Sequence, residues 1–298
     1  MTLSGWPCAA LLALLGACTP SFQSQSQVVD LRVLAIRAEP AEAHVDLQAN
    51  SVEPVVVRAL VADPLPREAL VVHGRVCFPT DSGRCDGSPD IDPRAVPSKA
   101  MEQQPLFALA VPADVIAAAL QDDRLKGFGG VRVQFALDAA DGDPNGVVRA
   151  SKLLVYSTSP TPNGNPEITA LQITQDGAAL ATAHPGETVS LPAGAEVGLR
   201  PVLGEGPAGI EEYDTLDLSG KTIHLREAPR YSFFATPPLD LDRDDADEPL
   251  PGASQPTNGI ARLTVNGAGM LWVVVRDGRG GTGWISVCVA VNSRGCQR

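Results

Sequence analysis

Apolar residues along this chain alternate with polar ones or run together in short blocks, and helical spacing is rare. Alternation at period two sets one face of an extended segment in a core and the other in water. In 131–135 (VRVQF) apolar residues hold every second position. The pattern predicts strands at 31–38, 55–62, 70–78, 131–138 and 147–157 in the first half. In the second half it predicts strands at 167–174, 188–191, 196–202, 221–227, 230–235, 260–266, 270–276 and 283–291. Turn chemistry bounds these runs, as in Ala62-Asp63-Pro64, Asp81-Ser82-Gly83 and 141–146 (DGDPNG). One segment departs from the rule. Residues 112–126 (PADVIAAALQDDRLK) are Ala-rich, with Pro at the first turn, Asp114 early and Gly127 just past the end. Those marks predict one short helix, crossing an open end of a sandwich.

Short strands at this spacing, without alternating helices, predict an all-β chain of two tandem antiparallel β-sandwiches, with the helix in the first. The division falls at 157–166 (STSPTPNGNP), which holds three prolines, an Asn-Gly and no large apolar residue. That is the composition of a short, semi-stiff linker. The expected layout is a first sandwich over 29–156 and a second over 167–298. The strongest local signal is Leu271-Trp272-Val273-Val274-Val275-Arg276, then Asp277-Gly278-Arg279-Gly280-Gly281, then Trp284-Ile285-Ser286-Val287-Cys288. It reads as a long hairpin with a Gly-rich turn. This hairpin is similar to the last hairpin of immunoglobulin-like and PKD-like domains, and the resemblance implies immunoglobulin-like units. The wide Cys pair around a core Trp of true immunoglobulin domains is absent from the pattern.

The N-terminus carries a different signal. The apolar run 9–15 is too short to span a bilayer as a helix, and it leads into Leu15-Gly16-Ala17-Cys18. This resembles the lipobox of bacterial lipoproteins. The resemblance implies a signal peptide over 1–17, a diacylglycerol on Cys18 and an exported, lipid-anchored protein. Residues 19–27 (TPSFQSQSQ) are polar and Ser/Gln-rich, so 18–28 reads as a flexible tether. Thr19 stands where Asp would signal inner-membrane retention, which favours outer-membrane delivery, to the periplasmic face or the cell surface. Lipobox, tether and tandem immunoglobulin-like units together resemble uncharacterised envelope lipoproteins of Gram-negative bacteria.

Composition narrows the partners. The 298-residue chain is 44% hydrophobic and carries a formal net charge of −12. That balance disfavours nucleic acid, which requires basic surface against phosphates. Of six cysteines, Cys8 lies in the signal and Cys18 in the lipobox. Cys77, Cys85, Cys288 and Cys296 remain, and four cysteines allow three pairings. Both close couples share one short spacing within one half of the chain, so disulfides Cys77–Cys85 and Cys288–Cys296 are expected, as in an oxidising compartment. Each closes a loop of about nine residues, worth roughly 2.5 kcal/mol in the chain-entropy picture.

Candidate chemistry is sparse. Residues 240–248 hold six acids around Arg243, net −5 in nine residues. Asp240, Asp242 and Asp244 have the odd-position spacing of calcium loops. Asp245 replaces the sixth-position Gly, however, and Pro251 the twelfth-position Glu. The alternative is a solvated irregular loop between Phe234 and Ile260. A second acidic turn (Asp138, Asp141, Asp143, Asn145) has ordinary hairpin chemistry. Tyr231, Phe233, Phe234, Trp272 and Trp284 gather in the second half. They suit a sandwich core or, through Tyr231 and Trp284, a sugar-stacking platform. The four histidines form no metal motif, and Gly252-Ala253-Ser254-Gln255-Pro256 has Pro where a nucleophile elbow needs Gly. Gly204-Glu205-Gly206-Pro207-Ala208-Gly209 lacks the strand and helix a dinucleotide loop requires. The expectation is a non-enzymatic binding, adhesion or structural protein, anchored through its lipid and meeting an envelope protein or glycan. The alternative is a carbohydrate-binding or enzyme-accessory module.

Overall fold

The computed structural model describes residues 24–46, 48–66, 68–93, 100–123, 129–142, 146–217, 219–248, 259–292 and 295–296. Four of its sheets pair into two β-sandwiches. In the first, sheet I joins β1 (Arg32–Glu39) to β4 (Val55–Ala62), and β4 also pairs with β6 (Glu102–Gln103) and β7 (Leu106–Leu109). Sheet II has the order β3-β2-β9-β8-β5, from β2 (Glu42–Asp46), β3 (Ser51–Val52), β5 (Val71–Cys77), β8 (Val131–Ala140) and β9 (Val148–Ser157). Between them lies a core that includes Val57, Leu70, Phe107, Phe135, Leu137 and Tyr156. Phe107 and Phe135 meet with ring centroids 5.3 Å apart and planes at 59°, a tilted pairing that suits aromatic quadrupoles. Gly74 on β5 makes room for them. A Cβ there would stand 2.8 Å from the Phe135 ring and 2.9 Å from the Phe107 ring.

The helix α1 (Ala113–Asp122) begins after Pro112, carries Asp114 in its first turn and buries Ile116 and Ala119. It packs on β8. The fixed φ of proline and an acid near the positive end of the helix dipole both favour a start here. The expected continuation towards Lys126 lies partly outside the described residues.

In the second sandwich, sheet III has the order β12-β21-β20-β16-β18, from β12 (Thr188–Ser190), β16 (Arg230–Ala235), β18 (Asp245–Asp247), β20 (Gly269–Arg276) and β21 (Thr282–Ala290). Sheet IV has the order β11-β10-β13-β19-β17, from β10 (Ile168–Gln175), β11 (Ala178–Ala183), β13 (Glu196–Leu203), β17 (Leu239–Leu241) and β19 (Ala261–Val265). Their shared core includes Leu171, Leu199, Tyr231, Phe233, Leu263, Val273 and Ile285. A separate hairpin, β14 (Glu212–Leu216) with β15 (Thr222–Arg226), joins neither sheet.

Most of the expected strands form, and the long hairpin is β20 against β21 over Gly269–Arg276 and Thr282–Ala290. Three features differ from the sequence reading. Two strand pairs are parallel, β12 with β21 and β2 with β9, so the sandwiches are not purely antiparallel. The acidic stretch is not a plain loop: β17 and β18 carry it from sheet IV to sheet III. The tether is not free in its described part. Val28 N donates to Ala235 O and Ala235 N to Ser26 O, each at 2.8 Å, and Ser26 and Val28 are fully buried. A short polar segment gains a fixed place because its backbone completes the edge of β16 and Val28 fills an apolar hole.

Candidate functional site

The site that the fold builds most elaborately is the joint between the sandwiches. The outer faces of sheets I and III meet in a third apolar cluster, with Val28, Leu34, Ala35, Leu60, Ala62, Met270, Trp272, Val274 and Cys288 buried in it. Strand β20 is consequently buried on both faces. Leu271, Val273 and Val275 enter the second-sandwich core, while Met270, Trp272 and Val274 enter the joint. This is why 271–275 (LWVVV) lacks any polar alternation. Trp272 is 0% exposed, and its indole Nε1 donates to Glu102 Oε2 at 2.9 Å, so the ring is buried without an orphaned donor.

A polar network flanks the apolar patch. Asp277 opens the Gly-rich turn and folds its carboxylate back over it. Oδ1 accepts the amides of Arg279, Gly280 and Gly281 at 2.7–3.0 Å. Oδ2 accepts Gly281 N at 3.0 Å and Asn163 Nδ2 at 2.8 Å. Asn163 N donates to Glu42 Oε2 at 2.8 Å. Asn165 Nδ2 donates to Ala38 O at 2.7 Å, and Asn165 Oδ1 accepts Thr282 N at 2.9 Å. The expected linker is therefore packed into the joint, with Asn163 3% exposed. Gly281 and Gly283 are obligatory here, since a Cβ on either would collide with Gly164 O or Pro166 O respectively.

Arg279 reaches from the same turn into a group of acids. Its guanidinium lies 3.0 Å from Glu211, 3.3 Å from Glu227 and 3.7 Å from Glu42, and 3.9 Å over the Tyr213 ring. It ties the root of the β14–β15 hairpin to both sandwiches. Burial, followed by the neighbouring Asp277 and Glu211, pushes the Glu227 carboxyl up to about 6, against backbone and Arg279 contacts that favour its charge.

The expected disulfides form, Cys77–Cys85 and Cys288–Cys296, with Cα separations of 5.4 and 5.8 Å. The second lies in the joint, with Cys288 buried and Cys296 packed beside it. The first holds a loop over sheet II, where Gln134 accepts Thr80 N at 3.0 Å. Cys18 and the lipobox lie outside the described residues, as do 249–258 with the near-elbow, and Asp143 and Asn145.

The aromatic platform does not form. Tyr231 is 0% exposed in the second-sandwich core, donating to Glu248 Oε2 at 2.5 Å, and burial raises its phenol pKa. Trp284 is half-buried on the opposite face of the same sheet, against the joint cluster. Strand alternation set them apart, because Tyr231 lies opposite Val275 and Trp284 opposite Val274. The acidic stretch is likewise dispersed. Asp242 Oδ1 accepts Arg262 N at 2.8 Å, Gln27 Nε2 lies 3.5 Å from Asp240 Oδ1, and Asp245 pairs with Arg230. Among the described residues no three His, Cys, Asp or Glu side chains group to hold a metal. The strand pairing of β17 and β18 turns these carboxylates outward to separate partners. His224 rests between Asp214 and Glu212, which raise its pKa.

What sequence reasoning missed is the joint. The signals were present in the two-sided apolar run 271–275 and in an Asp and an Arg held inside a glycine turn.

No family model matches the chain and no curated relative does. Among solved structures it is similar to the N-terminal Ig1-2 module of the Drosophila receptor protein tyrosine phosphatase DLAR. That likeness has TM-score 0.26 and 10% identity, over 88% of this chain and 99% of the other. It is also similar to red sea bream transglutaminase, with TM-score 0.25 and 11% identity, over 88% of this chain but only 32% of that one. A C-terminal intimin fragment in complex with the intimin-binding domain of its translocated receptor gives TM-score 0.23 and 10% identity, over 88% and 64%. The fold assignment rests on the sheets themselves.

Proposed function

We propose that this chain is a lipid-anchored envelope protein with a non-catalytic binding, adhesion or structural role, made of two β-sandwich domains joined rigidly at 157–166. The observation that carries the reading is the joint. An apolar cluster around Trp272, a linker hydrogen-bonded to both sides and the Arg279 clamp hold the sandwiches at one angle. A fixed angle serves a protein that presents surfaces at a distance or transmits load, and it requires no reacting groups. The lipobox at Leu15-Gly16-Ala17-Cys18 supports the anchor, and two disulfides support an oxidising compartment. Two or three acyl chains on Cys18 would hold the protein on a bilayer, at about 0.8 kcal/mol per buried methylene.

Metabolic labelling with an alkynyl fatty acid tests the anchor. Label on the native protein in the membrane fraction, absent from Cys18→Ser, is the expected result. Unlabelled protein in the cytosol with reduced thiols overturns the reading.

A further inference from the structure

A cleft of about 400 Å³ opens at the waist of the molecule, bounded by β1 residues 33–36, β9 residues 150–153 and the turn at 276–282. Two cations line it, Lys152 and Arg276. Lys152 Nζ donates to Gly280 O at 2.5 Å and to Thr282 Oγ1 at 2.9 Å. Arg276 donates from one terminal nitrogen to Ser232 Oγ at 3.0 Å and from the other to Leu34 O at 3.2 Å. All four acceptors are neutral.

Among the described residues Arg32, Arg37, Arg75, Arg149, Arg230, Arg243 and Arg279 each lie within 4.0 Å of a carboxylate oxygen. Of the other described cations, Arg58, Arg84, Arg132, Arg200, Lys221, Arg226 and Arg262 form no such pair, and neither do Lys152 and Arg276, which share one cleft. The carboxylate nearest in kind, Asp277, already accepts five hydrogen bonds from Asn163 and its own turn. Lys152 is consequently lowered to about 8, with desolvation as the main cause, and Arg276 is lowered by desolvation and by Arg230. The Asp277 carboxylate favours the Lys152 charge more than Arg276 opposes it, but its oxygens are already engaged, and the two cations together favour an anion between them. Each also has donors to spare, since an ammonium carries three and a guanidinium five. Glycines at 278, 280 and 281 leave that wall of the cleft free of side chains. The positive charge of the cleft rejects a metal ion.

We propose that the waist cleft binds a single oxyanion group, a carboxylate, sulfate or phosphate, held between Lys152 and Arg276. The site does not depend on lipid at Cys18. It touches both sandwiches, so its occupant also bridges the joint.

Calorimetric titration of the full chain with sodium sulfate, sodium phosphate and sodium glucuronate, each against sodium chloride of equal ionic strength, tests it. Saturable binding of at least one oxyanion is expected, weakened at least about tenfold in Arg276→Gln and partly restored in Arg276→Lys. The three anions separate sulfate, phosphate and carboxylate sources. Lys152→Gln is the second variant, and Arg276→Gln stands in for it if loss of the Gly280 and Thr282 contacts unfolds the protein. Heats that follow ionic strength alone, or equal affinity in Arg276→Gln, overturn the proposal.

Discussion

Single residues in this protein take their properties from the joint. Glu227 is a carboxylate with its side chain 2% exposed, facing Glu211, Asp277 and one Arg279 guanidinium. Its pKa is raised from 4.5 to about 6, so the folded state binds its proton more tightly than the unfolded state does. Stability from this group is therefore fully present below pH 4.5 and is lost as pH rises through about 6. Urea unfolding of the native protein is expected to show a gain of about 1 kcal/mol from this group between pH 7 and pH 5. Glu227→Gln should flatten that part of the profile. An unchanged slope in the variant means that other carboxyls control the pH response. Tyr231 shows the same dependence on surroundings. Alternation paired it with Phe233 and core burial followed, whereas a stacking role required the opposite face.

At the scale of elements, most strands were legible because period-two burial leaves a mark in sequence. The strands at Val55–Ala62 and Arg230–Ala235 coincide with the expected runs. The missed ones are Glu42–Asp46, Ser51–Val52, Glu102–Gln103, Leu106–Leu109, Ala178–Ala183, Glu212–Leu216, Leu239–Leu241 and Asp245–Asp247, most of them short or weakly apolar. Their backbone joins a sheet because a neighbouring edge offers hydrogen bonds, and side-chain pattern carries little of that information. Residues 24–28 are the extreme case, read as tether yet docked on β16. Val28→Ser is expected to cost about 2 kcal/mol. It should also speed hydrogen exchange at the Ala235 amide, which donates to Ser26 O, while the core amide of Val273 stays protected. Equal exchange at Ala235 in both proteins argues that the segment is not held there.

At the scale of the whole molecule, the two sandwiches meet through a buried apolar cluster and a linker hydrogen-bonded on both sides. Trp272 is the centre of that surface, wholly buried between sheets I and III. Trp272→Ala leaves a cavity and strips Glu102 of a hydrogen-bond partner, a change expected to cost about 3–5 kcal/mol. Small-angle X-ray scattering should then show a larger maximum dimension, and thermal unfolding two transitions where the native protein has one. A variant that loses stability yet keeps the native scattering profile shifts the weight of the joint to the Arg279 and Asp277 network. The waist cleft belongs to this scale too, because its walls come from both sandwiches.

By itself the sequence determined the all-β class, the short helix, both disulfides and the long hairpin around 271–288. Each is a local matter of periodicity, turn chemistry or spacing. Only the tertiary structure decided that the sandwiches pack, that the linker and residues 24–28 are structural, and that Lys152 and Arg276, 124 positions apart, line one cleft. Such contacts are set by which outward faces find each other. Outward apolar and charged residues look alike in sequence whether they meet water or a neighbouring sheet.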